Sequence, residues 1–193
     1  MHDIEPYYEW RDYYIASEDS RSVFFRRKYS EFSFTHKVYN YYIHPQWDAF
    51  GSSTLYCKIL YVGYDKQVAV IELIGEWNDT LHNDIMIFKE EIIDPLIHNG
   101  INKFILVGEQ VMNFHGSDDA YYEQWAEDIR EEDGWILAVN FLPHVKSEMR
   151  NFGIHSFIDM NDSLNEVEWR KIKPLYIHKA AEDWMIKAIG EKE

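Results

Sequence analysis

Residues 67–76 (QVAVIELIGE), 103–107 (KFILV) and 135–139 (WILAV) are three short apolar segments, and a helical pattern separates each from the next. Short continuous apolar runs of this kind are typical of strands that are covered on both faces. The order strand, helix, strand, helix, strand therefore predicts an α/β domain, with a mixed β-sheet and helices packed on it. Because residues 103–107 are almost entirely apolar, we expect them to form a central strand.

The first of these segments is preceded by another one rich in β-forming residues. Residues 54–62 and 67–74 are joined by a short polar turn, GYDK, at residues 63–66. Two such runs across a short turn predict an antiparallel hairpin at the start of the domain. The chain is then expected to leave the sheet at Gly75.

Helix-start signals follow the strands. We expect helices to begin near Thr80, Asp118 and Pro143, with Asp79 or Thr80 capping the first and Ser117 or Asp118 capping the second. A last short strand is expected at residues 154–158. Pro95 is expected to distort the end of the first helix, which carries an apolar stripe. That stripe consists of Leu81, Ile85, Phe88, Ile92 and Leu96.

The chain divides by composition into an aromatic-rich N-terminal extension (residues 1–51), the α/β domain (52–160) and a C-terminal helical extension (161–193). A disordered arm would be poor in aromatic residues, so we expect the N-terminal extension to be at least partly ordered. Residues 31–35 alternate as in a strand. The aromatic rings either pack on the chain's own domain or form a homodimer with a second copy. Apolar residues at helical spacing predict an amphipathic helix in the C-terminal extension, at Ile177, Ala181, Trp184, Met185 and Ala188.

Composition limits the function classes. The chain has 193 residues, 46% of them hydrophobic, which is enough for a sizeable core, and a formal net charge of −15. That charge argues against nucleic acid and anionic membranes as partners, because both are polyanions. The single cysteine, Cys57, lies in a predicted strand, where a buried inert thiol is favoured over a nucleophile. We expect a soluble, acidic, cytoplasmic protein.

Three local patterns resemble the STAS domain family, which is typified by bacterial anti-sigma factor antagonists. Residues 70–76 resemble the family's second strand and its Gly-Glu exit, and residues 104–107 resemble its third strand, with the regulatory loop after it. Residues 134–154 resemble its fourth strand and third helix. The resemblance covers residues 54–159, about half of the chain. It implies a STAS-like mixed sheet and a regulatory module of bacterial type that binds another protein without catalysis.

The resemblance also implies where the partner binds. In the family, the loop after the third strand presents a phosphorylatable serine at the start of the second helix. Here that loop contains the expected binding residues, His115, Gly116, Ser117, Asp118 and Asp119, within residues 113–119. The family pattern has Asp-Ser followed by a small residue and glycine, whereas Ser117 is displaced by about one position. Ser117 is therefore a candidate phosphoacceptor, but the two aspartates after it would repel a phosphate, and a plain helix cap is its favoured role.

The same loop supports an alternative, a metal-dependent enzyme. His115, Asp118 and Asp119 offer nitrogen and oxygen ligands at the end of a strand, and His82 and Asp84 after the preceding strand could reach the same rim. However, the sequence has no His-Glu-x-x-His motif, no phosphate-binding glycine loop and no Gly-x-Ser-x-Gly motif. We therefore favour a non-catalytic protein and expect no cofactor, no metal site and no catalytic residue.

Overall fold

The structure, a computed structural model, describes residues 4–190 and the side chains of residues 4–186, so the side chain of Ala188 lies outside the described part. The strands are β1 (Lys37–Val38), β2 (Tyr41–Tyr42), β3 (Leu55–Gly63), β4 (Val68–Asn78), β5 (Lys103–His115) and β6 (Trp135–Val139). The helices are α1 (Asp79–His82), α2 (Asp84–Phe88), α3 (Asp94–His98), α4 (Ala120–Arg130), α5 (Pro143–Asn151) and α6 (Ile177–Gly190). A π turn at Lys89–Ile93 joins α2 to α3.

Strands β3 to β6 form one mixed sheet in the order β3-β4-β5-β6. β3 runs antiparallel to β4, as the predicted hairpin requires, and β4, β5 and β6 run parallel to one another. Residues 104–107 of β5 are fully buried between β4 and β6, which confirms the prediction of a central strand. The fold is therefore the expected α/β arrangement, with a separate two-stranded ribbon formed by β1 and β2.

β4 and β5 extend beyond the ends predicted from the sequence. The chain does not leave the sheet at Gly75, and β5 does not end at Val107; the additional residues of the two strands pair with each other in parallel. From the sequence alone, Gly108 suggests that the strand ends there, because glycine weakens a strand. Inside β5, however, a Cβ at this position would lie 2.3 Å from the ring of Phe141, so close packing requires the glycine.

The helix predicted after β4 begins at Asp79 but is divided into short pieces. Asn83, in the left-handed conformation at φ 52°, separates α1 from α2, and the π turn precedes Pro95. Proline has no N–H group, so it is accommodated in the first turn of α3, where that group needs no intrahelical acceptor. Leu81 is 75% exposed, contrary to the prediction, because the left-handed residue redirects the chain after it. The rest of the predicted stripe is buried at Ile85, Phe88, Ile92 and Leu96.

The strand predicted at residues 154–158 is wrong. The chain forms a 3-10 turn at Ile154–Ser156 and then meets β6 at a single residue, through a parallel bridge between Asp159 and Leu137. Ile154 and Ile158 are both buried, four residues apart. Ser156 between them is exposed, whereas in a strand its side chain would share the face of both isoleucines, so the burial pattern is that of a helical turn.

Helices α2 to α5 cover one face of the sheet. Their buried side chains and the sheet form the largest core cluster, and α5 begins at Pro143, as predicted. Tyr122 and Trp125 of α4 are both fully buried in this cluster. None of the helices in residues 4–190 is long and apolar enough to cross a membrane.

The other face, called the second face below, is covered by the two ends of the chain. It consists of apolar side chains from all four strands, and Trp10, Trp169 and Ile177 pack against it. The rings of Trp10 and Trp169 meet edge to face at 5.4 Å. Part of the N-terminal extension therefore packs on its own chain. The strand side chains are Leu60, Tyr61, Val68, Val70, Ile105, Val107, Leu137 and Val139.

Another part of the N-terminal extension stays exposed. Residues 31–35 do not form the predicted strand, because the Ser30 hydroxyl accepts the N–H groups of Phe32 and Ser33 and holds a local turn instead. Phe32 is 89% exposed. Tyr39, Tyr41 and Tyr42 of the β1–β2 ribbon are also exposed. The homodimer through this extension stays a prediction, as does the division of the chain at residues 51 and 160.

One arginine holds two glutamates on the second face. Glu109 lies 2.7 Å from Arg170 Nη1 and accepts a hydrogen bond from Trp169 Nε1 at 3.0 Å. Glu72 is buried, lies 3.4 Å from Arg170 Nη2 and accepts the backbone N–H of Tyr7 at 2.8 Å. Burial raises the pKa of Glu72 to about 7, and the contacts with Tyr7 and Arg170 offset this only in part. For Glu109 the hydrogen bonds outweigh burial, so its pKa is lowered.

These opposite shifts predict opposite pH dependences. A carboxyl whose pKa is raised on folding is most stabilising when neutral, so the wild-type contribution of Glu72 is complete below pH 4.5 and is lost as pH rises towards 7. Over that window we expect the free energy of unfolding of the wild type to fall by about 3 kcal/mol relative to Glu72→Gln. Urea unfolding at a series of pH values measures this difference.

Glu109→Gln serves as the matched control. Because the pKa of Glu109 is lowered, its contribution is present above the unfolded pKa of 4.5 and disappears as pH falls below it. This variant should therefore be less stable than the wild type at neutral pH, and the difference should shrink in acid. The same direction of pH dependence for both variants would contradict the assignment.

Candidate functional site

The predicted binding residues lie at the rim where β4 and β5 end. The two strands are parallel, and their last residues, Asn78 and His115, are paired with each other. His115 therefore belongs to β5, so the predicted loop of residues 113–119 is wrong for its first three residues. The loop consists of residues 116–119 and is called the rim loop below.

The rim loop is anchored to the end of β4. Asn78 caps α1, since its side-chain oxygen accepts the N–H of Leu81 at 2.9 Å, in place of the predicted caps Asp79 or Thr80. This leaves the Thr80 hydroxyl free to donate to the backbone oxygen of Gly116, at 2.6 Å. The loop is thus connected to the neighbouring strand end by a hydrogen bond as well as by its own chain.

Gly116 is packed beneath the residue that follows α5. A Cβ on Gly116 would lie 2.5 Å from two ring carbons of Phe152 and 2.9 Å from Phe114. Gly116 does not have a positive φ, so the demand for glycine is steric. Contacts on both sides fix the position of the rim loop relative to α5.

Ser117 is exposed, and its hydroxyl makes no hydrogen bond to any residue that the structure describes. The prediction that Ser117 or Asp118 is the N-cap of α4 is wrong, because the helix begins at Ala120 and Asp119 occupies the N-cap position without a side-chain cap bond. Asp118 instead accepts the N–H of Ala120 at 3.2 Å. The Ser117 hydroxyl is accordingly accessible, with no structural role as a helix cap.

The residues of the metal-enzyme alternative do not converge. Asp84 is buried and accepts the backbone N–H of Asn78 at 2.8 Å, so it faces the core, whereas His82 and His115 are exposed. Within residues 4–186, no three His, Cys, Asp or Glu side chains are grouped so that they could hold a metal ion. The arrangement that this alternative requires is not formed by these side chains.

Asp79, a buried carboxylate behind the rim, is not among the binding residues predicted from the sequence. Asp79 accepts hydrogen bonds from Tyr122 Oη at 2.7 Å, Trp77 Nε1 at 3.0 Å and Ile85 N at 2.9 Å. Burial raises the pKa of Asp79 to about 6, although all three donors act to lower it. Because Tyr122 belongs to α4 and Ile85 to α2, this carboxylate fixes both helices to the end of β4.

An acidic stripe runs along α4 from the rim loop. Asp119, Glu123, Glu127 and Glu131 follow one another at intervals of four residues, which places them on one side of the helix. All four are exposed, and none forms an ion pair with another described residue. In contrast, Asp128 on the same helix is paired with Lys89 at 2.8 Å. The spacing was available from the sequence, but the lack of ion pairs was not.

We predict that Gly116→Ala destabilises the protein by about 1–3 kcal/mol, because the added methyl group overlaps the ring of Phe152. The same substitution in a Phe152→Ala background should cost less, since the obstructing ring is gone. Chemical unfolding of the two single variants and the double variant measures the coupling.

Gly100→Ala is the control for loss of glycine as such. Gly100 has φ +85°, but a Cβ there would meet no atom within 4 Å. Its substitution should cost about 1 kcal/mol through backbone strain, with no relief from Phe152→Ala. Equal coupling of both glycines to Phe152 would contradict the proposed packing.

No protein-family model matches the chain, and no curated protein matches it either. Among solved structures, the chain is similar to the anti-sigma factor antagonist SpoIIAA in its unphosphorylated form. The sequence identity is 16% and the TM-score is 0.44, over 62% of this chain and 95% of that chain. The likeness agrees with the remote resemblance predicted from the sequence. It concerns the fold alone, and no residue role is transferred from it.

Proposed function

We propose that this protein is a non-catalytic, STAS-like regulatory module that binds another protein through the rim loop and the acidic stripe of α4. The observation that carries the proposal is the stripe itself, four exposed carboxylates in register without ion pairs among the described residues. The partner surface is accordingly basic. We place the protein in the cytoplasm, where a reduced cysteine such as Cys57 is the rule.

The stripe is unfavourable for the isolated helix. Like charges four residues apart destabilise a helix by about 0.2–0.5 kcal/mol per pair, and one such pair, Glu123 and Glu127, lies within α4. A basic partner would relieve this repulsion, and at an ionic strength of about 0.1 M it would also be attracted over a distance of about 10 Å. The electrostatic energy of the stripe is thus unfavourable in the isolated protein and becomes more favourable when a basic partner binds.

The rim loop supplies the other half of the proposed surface. His115, Ser117 and Asp118 are exposed next to Asp119, the first residue of the stripe, and Gly116 fixes the loop beneath Phe152. An accessible Ser117 hydroxyl could be modified as well as bound. A phosphate there would add about −1.5 to −2 charges beside Asp118 and Asp119 and extend the acidic surface. Such a surface still calls for a basic partner.

The test compares two charge-reversed variants of the full chain. Glu123→Lys/Glu127→Lys reverses the centre of the stripe, and Glu182→Lys/Asp183→Lys makes the same change in net charge on α6, which packs on the other face of the sheet. Tagged proteins would be incubated with lysate of the source cells, and retained proteins would be quantified by mass spectrometry.

We expect the wild type and the α6 variant to retain the same basic protein, and the stripe variant to retain at least about tenfold less of it. Retention should fall as salt is raised, because the contact is electrostatic. Equal retention by all three proteins, or retention of no protein above the level of the beads, would contradict the proposed surface.

A homodimer through the N-terminal extension is a separate proposal, supported by the exposed rings of Phe32 and Tyr41. If these rings form a dimer interface, Phe32→Ser/Tyr41→Ser should convert a dimer to a monomer at micromolar concentration without loss of stability. Sedimentation velocity measures the change. A wild type that sediments as a monomer at this concentration would remove the dimer from consideration.

A further inference from the structure

A cavity of about 250 Å³ lies between the N-terminal extension and the edge strand β3. Its walls include the rings of Tyr7, Trp10, Tyr14 and Tyr29, and Leu60 of β3 adds an aliphatic side chain. The volume is just below the range of about 300–1,000 Å³ that is usual for drug-sized ligands. An occupant must therefore be a small molecule, and most of its surface would contact apolar atoms.

The charge of the cavity wall is opposite to that of the protein. Two of its lining residues, Arg11 and Lys58, are basic, and none of its described lining residues is acidic. This occurs in a chain with a formal net charge of −15. Two cations without an acidic lining residue make the cavity suited to an anion.

Both cations lie at the same end of the cavity, because each contacts Gln46. Arg11 Nη2 donates to the side-chain oxygen of Gln46 at 3.3 Å, and Lys58 Nζ donates to its backbone oxygen at 2.8 Å. Arg11 has no carboxylate partner among the described residues. Gln46 therefore holds the two positive charges of Arg11 and Lys58 near each other at this end of the cavity.

The positive charge of Lys58 is only partly neutralised. Its ammonium group lies 3.0 Å from Asp48 Oδ2, but the other oxygen of Asp48 is 2.8 Å from Arg27, so one carboxylate serves two cations. Lys58 also lies 3.8 Å from the centre of the Tyr29 ring. Its two oxygen acceptors leave one ammonium proton without an oxygen acceptor within the described part of the chain.

We propose that this cavity binds a small organic monoanion, with an aromatic body between the rings of Trp10 and Tyr14 and a carboxylate that contacts Arg11 and Lys58. The aromatic walls provide the apolar contact, and the two cations provide charge-assisted hydrogen bonds to a carboxylate. The cavity lies at the β3 edge of the sheet, away from the rim loop and α4. The proposal therefore stands independently of the protein-binding surface.

The test uses benzoate and its neutral analogue benzamide, which have the same shape and differ in charge. Binding to the full chain would be measured by isothermal titration calorimetry and by the shift of the assigned Trp10 indole resonance. We expect benzoate to bind at millimolar concentration and to shift Trp10, and benzamide to bind at least about tenfold more weakly.

Two substitutions that each remove one positive charge, one inside the cavity and one outside it, test whether benzoate binds in the cavity. Arg11→Gln keeps an exposed polar side chain and should weaken benzoate binding about tenfold. Lys66→Gln, in the exposed turn between β3 and β4, should leave the affinity unchanged. Lys58→Met is the second variant at the site, with its fold checked by circular dichroism because Lys58 is also a partner of Asp48.

Three results would each overturn the proposal. The first is equal affinity for benzoate and benzamide, and the second is equal affinity of the wild type and Arg11→Gln for benzoate. The third is the absence of a Trp10 shift with benzoate, 3-phenylpropionate and indole-3-acetate at millimolar concentration. The last two compounds extend the aromatic body, so they cover a cavity that benzoate fills poorly.

Discussion

The apolar second face of the sheet has to be covered, and the chain covers it with its own two ends. Each fully buried Val or Ile side chain contributes about 1.5–3 kcal/mol relative to exposure, so a face built from Val68, Val70, Ile105 and Val107 would be costly in water. Trp10 and Trp169 supply large rings for this purpose and pack on each other as well. The extensions are therefore part of the core.

Arg170 fixes the position of this cover. Its guanidinium reaches Glu72 on β4 and Glu109 on β5, and it also lies over the ring of Trp169 at 4.3 Å. A buried carboxylate next to a single arginine shared with a second carboxylate is costly to ionise. The contacts of Arg170 and Trp169 with Glu72 and Glu109 thus hold the C-terminal cover at a defined position on β4 and β5.

Local patterns predicted the elements, and long-range contacts decided where several of them end. The hairpin, the central strand at residues 104–107 and the start of α5 at Pro143 follow from composition and turn residues within a few positions. The length of β5 does not follow from local patterns. Gly108 is required inside this strand because the ring of Phe141, which is 33 residues further along the chain, packs against it.

The candidate site shows the same division. Its location after a central strand could be predicted, and the four-residue spacing of the acidic stripe is visible in the sequence. That Ser117 does not cap α4 could not be predicted, because it depends on β5 reaching His115 and on α4 beginning at Ala120. The contact between Asp79 and Tyr122 joins residues 43 positions apart, which no local pattern reveals.

The contact between the two ends also constrains how the chain can fold during synthesis. The Tyr7 hydroxyl donates to the backbone oxygen of Arg170 at 3.1 Å, across 163 positions of sequence. A nascent chain on the ribosome would complete the four strands before Arg170 emerges, so Tyr7 and Trp10 would not yet have their contacts with Trp169 and Arg170. During that interval the second face is open to other chains. Folding of residues 161–193 onto the second face therefore ends its exposure to aggregation.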